Sequence, residues 1–162
     1  MAPEKQERGR VDNREVINDV LVNLFNEILR LEEEAIITDK YKDISNNDMH
    51  IIEAVGLGGG NMSSIAAKLK ITVGSLTTSM NSLVKKGYVK RERGEEDRRV
   101  VYISLSDKGK KAFVHHARFH KEMITSIMDE FDDDEKKILI RGLTKLDNWF
   151  KNKEEENKKN RE

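Results

Sequence analysis

Residues 71–87 read ITVGSLTTSMNSLVKKG and are followed at 88–105 by YVKRERGEEDRRVVYISL. Charged residues make up 37% of the 162-residue chain, yet none occurs between 71 and 84. On a helical wheel Val73, Leu76, Met80, Leu83 and Val84 fall on one side, and Gly74, Ser75, Thr78, Asn81, Ser82 and Lys85 on the other. An apolar stripe backed by small uncharged polar residues suits a helix lying on phosphates, where acid would be repelled. An ordinary solvated face would carry Glu and Lys, as the rest of this chain does. Thr72 is placed to N-cap the helix and Gly87 to end it.

Working outward, a short helix is expected at 63–69, with Ile65, Ala66 and Leu69 inward, joined to the first by the turn 70–72. Two short helices around so brief a turn make a helix-turn-helix candidate. On the other side, 88–93 and 99–105 are β-rich runs separated by a charged tip, which predicts a hairpin. Arg93, Arg98 and Arg99 lie near that tip, where guanidinium groups can enter a minor groove too narrow for a helix. Asp97 beside them is placed to pair with a neighbouring Arg and fix its direction. The predicted DNA-contacting set is therefore Thr72, Gly74, Ser75, Thr78, Asn81, Ser82, Lys85, Arg93, Arg98 and Arg99, with Asp97 orienting the wing. A hairpin tip that contacts nothing is the alternative.

Lys+Arg and Asp+Glu balance at 30 each, but the charge is segregated. Residues 71–99 carry seven basic against four acidic side chains, whereas 27–53 carry eight acidic against three basic. The chain has no cysteine, so disulfides and thiol chemistry are excluded. No apolar run approaches the ~18 residues of a membrane span, and the N-terminus lacks a signal-peptide core. The default location is the cytoplasm.

Ile17, Leu21, Leu24, Ile28, Leu31 and Ala35 alternate steps of four and three, predicting a long amphipathic helix over about 13–37 with a narrow seam. Ser45 and Asp48 form a capping-box variant ahead of Met49, Ile52 and Val55. The following Gly56, Gly58, Gly59 and Gly60 lack the Lys-Ser/Thr of a phosphate-binding P-loop and read as a turn. Ser106 caps a helix carrying Phe113, Ala117, His120, Ile124, Ile127 and Phe131. Asp132 and Glu135 box the start of a last one carrying Ile138, Leu139, Leu143, Leu146, Trp149 and Phe150. Residues 1–11 and 151–162 read as flexible tails. The narrow seams of the first and last helices call for a partner chain to cover them.

The run 62–109, with SIAAKL, a Thr/Ser-rich second helix ending VKKGYVKR, and GEEDRRVVYISLSDKG, resembles the winged helix-turn-helix core of the MarR family of bacterial regulators. The likeness extends over about 13–150. It implies a mainly α fold with a small β-hairpin wing. The winged helix-turn-helix domain would occupy 41–106, and the dimerisation helices 12–40 and 107–150. It also implies a cytoplasmic homodimer on a pseudo-palindromic double-stranded DNA operator, with the second helix of the motif in the major groove. DISNNDMHIIEAVG, EEDRRVV and RFHKEM are most similar to members that repress fatty-acid synthesis genes. That similarity implies a repressor whose operator binding is strengthened by a long-chain acyl-acyl-carrier-protein. Phe25, Leu29, Met49, Ile52, Phe113 and Met123 can line an acyl pocket, or can be core packing at helical spacing.

The histidines offer a different effector. His116 and His120 are spaced i, i+4 and can share a ligand. With His50, and Glu32 or Glu33 as a fourth group, they resemble the ligands of zinc-sensing members of the family. His120 also sits in an apolar stripe, where a hydrogen-bonded core imidazole is the common outcome. Catalysis finds no motif: pairing His120 with Ser126 or Asp129 lacks a nucleophile elbow or cofactor fingerprint. The remaining alternative is a helical dimer serving as a scaffold without DNA.

Overall fold

Capping chemistry sets most of the helix boundaries. The Asp48 amide donates to Ser45 Oγ at 3.2 Å and the Ser45 amide to Asp48 Oδ2 at 3.2 Å, so the expected box starts α2, Asn46–Val55. Asn61 Oδ1 accepts from the Ser64 amide at 2.8 Å to start α3, Met62–Leu69. Thr72 Oγ1 accepts from the Ser75 amide at 3.1 Å to start α4, Val73–Lys85. α1 is Asn13–Ile36, α5 is Asp107–Asp129 and α6 is Asp133–Lys159. The computed structural model describes residues 12–36, 40–94 and 100–160. Asp97, Arg98 and Arg99, and the expected N-terminal tail, lie outside the described residues.

The hairpin forms as expected from β2, Val89–Arg93, and β3, Val101–Leu105, paired antiparallel with Arg91 opposite Ile103. A third strand, β1, Gly60–Asn61, pairs with the other edge of β3, giving the order β1-β3-β2. The glycine turn delivers it. Gly59 has φ +66°, and a Cβ there would stand 2.5 Å from the Ile103 carbonyl oxygen.

The chain divides into two compact units, one up to Phe119 and one from His120 onward. In the first, Met49, Ile51, Ile52 and Val55 of α2 meet Ile65 of α3, Leu76, Met80 and Leu83 of α4, and Tyr88, Ile103 and Leu105 of the sheet region. Ala112 of α5 closes this core, and Phe113 packs against it. α1 buries only Glu32 and Ile36, leaving Val16, Ile17, Val20, Leu21, Leu24 and Phe25 exposed. In the second unit, α6 exposes Ile138, Ile140, Leu143, Trp149 and Phe150.

One boundary differs from the sequence reading. α6 continues through the expected C-terminal tail to Lys159. The segment KNKEEENKK has no apolar face, but its residues favour helix and pair along it, with Lys151 to Asp147 at 2.6 Å and Lys153 to Glu156 at 2.7 Å.

Candidate nucleic-acid interface

α3 ends at Lys70, which takes a left-handed conformation with φ 56°, and the chain turns through Ile71 and Thr72 into α4. Leu76, Met80 and Leu83 anchor α4 on the core, and Thr72, Gly74, Ser75, Thr78, Asn81 and Lys85 are exposed on it. Ser82 is half-buried. Val73, expected inward, is 42% exposed, and Val84 is 37% exposed. Both sit on the flanks of the stripe, beyond the reach of the core. Val73 instead helps line a cleft of about 420 Å³ between α4 and the hairpin, together with Met62, Thr77, Arg91, Arg93 and Val101.

Three of the predicted contact residues already have partners. The Thr72 and Ser75 hydroxyls share a 2.9 Å hydrogen bond at the helix start. Asn81 Oδ1 accepts a 2.7 Å hydrogen bond from Arg91 Nη1 on β2. Arg91 was visible in the sequence only as one charge in a basic stretch; no local spacing links it to Asn81. The basic residues around α4 also divide by role. Lys86 Nζ lies 2.8 Å from Asp48 Oδ2, and Lys108 Nζ 2.8 Å from Asp43 Oδ2, so both brace the scaffold. Lys85 and Arg93 point from exposed positions on α4 and β2.

Three of the six residues read as a possible acyl pocket belong to the core or pack against it. Met49 and Ile52 are packed in the core, Phe113 lies against it, and Leu29 is half-buried on α1. Phe25 is 61% exposed, and Met123 belongs to the second unit. A separate cleft of about 380 Å³ is lined by Lys40, Tyr41, Lys110, Lys111, Val114, His115 and Arg118.

Two of the expected histidine ligands, His50 and His116, come together in the first unit. Ligand atoms of His50, Glu53 and His116 all lie within 4.8 Å of one another. His50 Nδ1 and His116 Nε2 are each 3.6 Å from Glu53 Oε2, and His50 Nε2 is 3.7 Å from Glu32 Oε2. Glu32 and His116 are buried, whereas Glu33 is exposed. His120 falls in the second unit. Glu53 was not foreseen as a group near the histidines, although it follows His50 by one helical turn.

Residues 34–115 match a family model described as transcriptional regulator SarA/Rot. The structure superposes on Streptococcus pneumoniae FabT, solved in complex with DNA, with a TM-score of 0.83 and 37% identity, covering 86% of this chain and 99% of that one. The Lactococcus lactis transcriptional regulator ZitR is 26% identical over 111 residues, 67% of this chain and 77% of that protein. The Bacillus subtilis HTH-type regulator YwhA is 27% identical over 89 residues, 55% of this chain and 64% of that protein. These relatives are transcription regulators, not enzymes. Among the described residues, no helix is long and apolar enough to cross a membrane. With the helix-turn-helix, the three-stranded wing sheet and these relationships together, the chain belongs to the MarR family of DNA-binding winged helix-turn-helix transcriptional regulators.

Proposed function

We propose that the protein is a homodimeric repressor of fatty-acid or membrane-lipid synthesis genes. α4 reads the major groove of each operator half-site, and the wing, with Arg93, Arg98 and Arg99, follows the minor groove. The observation that carries this reading is the uncharged outer face of α4, held out by a buried stripe and flanked by exposed Lys85 and Arg93. The exposed apolar rows of α1 and α6 support a second copy as their cover. The lipid-gene assignment draws on the 37% identity to FabT and on the DISNNDMHIIEAVG and RFHKEM likeness, which also suggest an acyl-acyl-carrier-protein as the ligand that tightens operator binding. The test is fluorescence anisotropy with promoter duplexes at several salt concentrations, with and without acyl-acyl-carrier-protein. A steep fall in affinity with salt supports the DNA reading, and a flat or absent response overturns it.

A second reading rests on His50, Glu53 and His116, whose donor set of two imidazoles and a carboxylate fits zinc. Zinc there would tie α2 to α5 and make operator binding metal-dependent. Titration of the metal-free protein with zinc, followed by native mass spectrometry, tests it. One zinc per chain, lost in His116→Ala, supports the reading, and no uptake removes it.

A further inference from the structure

The hydrogen bond between Arg91 and Asn81 joins the wing sheet to the outer face of the helix-turn-helix. Along β2, Val89 is buried in the core, so by strand alternation Arg91 lies on the same side and reaches across to α4. Its Nη1 donates to Asn81 Oδ1 at 2.7 Å. Asn81 follows Thr78 by three positions and precedes Lys85 by four, so it sits in the middle of the exposed row that faces away from the core.

A guanidinium carries donors and no acceptor, so the Asn81 amide has to turn its oxygen toward Arg91. A bond to a cation is stronger and more directional than one between neutral groups, and it fixes the plane of the amide. The group left facing outward is the NH2. An unrestrained Asn commonly pairs with adenine through both amide atoms, oxygen to N6 and nitrogen to N7. With the oxygen engaged by Arg91, Asn81 presents donors to the groove. Guanine N7 and O6, adenine N7 and thymine O4 accept from such a group, whereas the cytosine edge offers its own N4 donor.

We infer that Arg91 is a positioning residue for sequence reading, holding Asn81 as a hydrogen-bond donor so that α4 favours acceptor-bearing base edges over cytosine at one step of each half-site. This rests on the proposal that α4 is the groove helix. Lys85 and the wing arginines supply affinity for any sequence, while the Arg91–Asn81 pair supplies preference.

The experiment selects binding sites from a pool of random duplex DNA with the wild-type protein. It then measures affinities of wild type, Arg91→Ala, Arg91→Lys and Asn81→Ala for the selected duplex and its single-base variants. For Arg91→Ala we expect discrimination against cytosine at one step per half-site to fall about tenfold, with affinity for random DNA and its salt slope unchanged. Asn81→Ala should lose preference at the same step, and the double variant should be no worse than Asn81→Ala alone. Arg91→Lys keeps the charge without the planar fork, so it should show the same loss at full salt slope, and it carries the test if Arg91→Ala folds poorly.

A uniform loss across sequences, with the salt slope reduced by about one, would make Arg91 a phosphate contact and overturn the inference. Unchanged preference in Asn81→Ala would overturn it too, by removing position 81 from base reading. If the wild type selects no site at all, the groove-helix proposal itself falls. That outcome is separate from either variant result.

Discussion

The Tyr88 hydroxyl donates a 2.6 Å hydrogen bond to Asp43 Oδ1, across the 45 residues that separate the loop before α2 from the bend that leads from α4 into β2. Lys108 Nζ donates to the other oxygen of the same carboxylate at 2.8 Å and stands 4.0 Å from the Tyr88 ring centroid. Three segments of the DNA-binding unit are thus tied at one carboxylate. Tyr88→Phe should lower unfolding free energy by about 1–2 kcal/mol in a urea titration, because it removes a buried hydroxyl from its acceptor.

The same contact has a pH signature. Burial pushes the Asp43 carboxyl up, but hydrogen bonds from Lys108 and Tyr88, with the Lys108 charge, outweigh it and leave it below its ordinary value. Its stabilisation is therefore fully present above about pH 4 and is lost as pH falls through the lower folded value. The difference in Tm between wild type and Asp43→Asn should shrink on acidification below that point. For Tyr88, burial first and Asp43 second hold the phenol well above its usual range. That contribution is present below the ordinary phenol value and is lost only as pH rises through the folded one, so the hydroxyl remains a donor in mild alkali.

Gly109 should tolerate no side chain. A Cβ there would lie 2.1 Å from the Tyr88 carbonyl oxygen and 3.4 Å from Leu105 Cβ. That carbonyl also accepts from the Ser106 amide at 2.9 Å, so it cannot withdraw without loosening the entry to α5. Gly109→Ala should destabilise by about 1–3 kcal/mol or more, read from thermal or urea unfolding.

On α4, Thr78→Ala and Lys85→Ala should separate reading from attraction. Thr78→Ala should narrow the affinity gap between operator and random DNA. Lys85→Ala should weaken both and reduce the salt slope by about one in anisotropy titrations. If Lys85→Ala left the slope intact, that residue would lie off the phosphate path.

Arg98→Ala together with Arg99→Ala should weaken operator binding while the oligomeric state stays the same. A mobility-shift assay beside size-exclusion chromatography checks both halves of that expectation.

For assembly, Ile17→Asp on the exposed row of α1 should shift the protein toward monomer in sedimentation velocity and weaken operator binding with it. Each monomer would then engage one half-site without the gain from linking two.

The long helices and their caps were legible because their signals are local. Ser45 with Asp48, Thr72, and Asp132 with Glu135 all make the bonds their spacing foretold. β1 was not legible, since a two-residue strand has no period and depends on β3 some 40 residues later. The Arg91 to Asn81 bond is likewise a product of the tertiary fold. Met49 and Ile52 show the limit of residue type: a Met and an Ile at helical spacing can line a lipid pocket but more often pack a core, and the structure places both in the core. The C-terminal segment was read as a tail because it lacks apolar residues. Helix continuation needs no apolar face where side chains pair along the helix.

Asn61 takes part in two structures at once. Its backbone lies in β1 opposite Tyr102 of β3, and its side chain starts α3. Tyr102 in turn stands opposite Glu92 on β2. The wing sheet is therefore joined to the first helix of the motif through Asn61, and to α4 through the bond from Arg91 to Asn81 and the shared core. α4 and the wing sheet are parts of one packed body. On the proposed DNA reading, an effector would change affinity by moving that body as a whole sooner than by reshaping it.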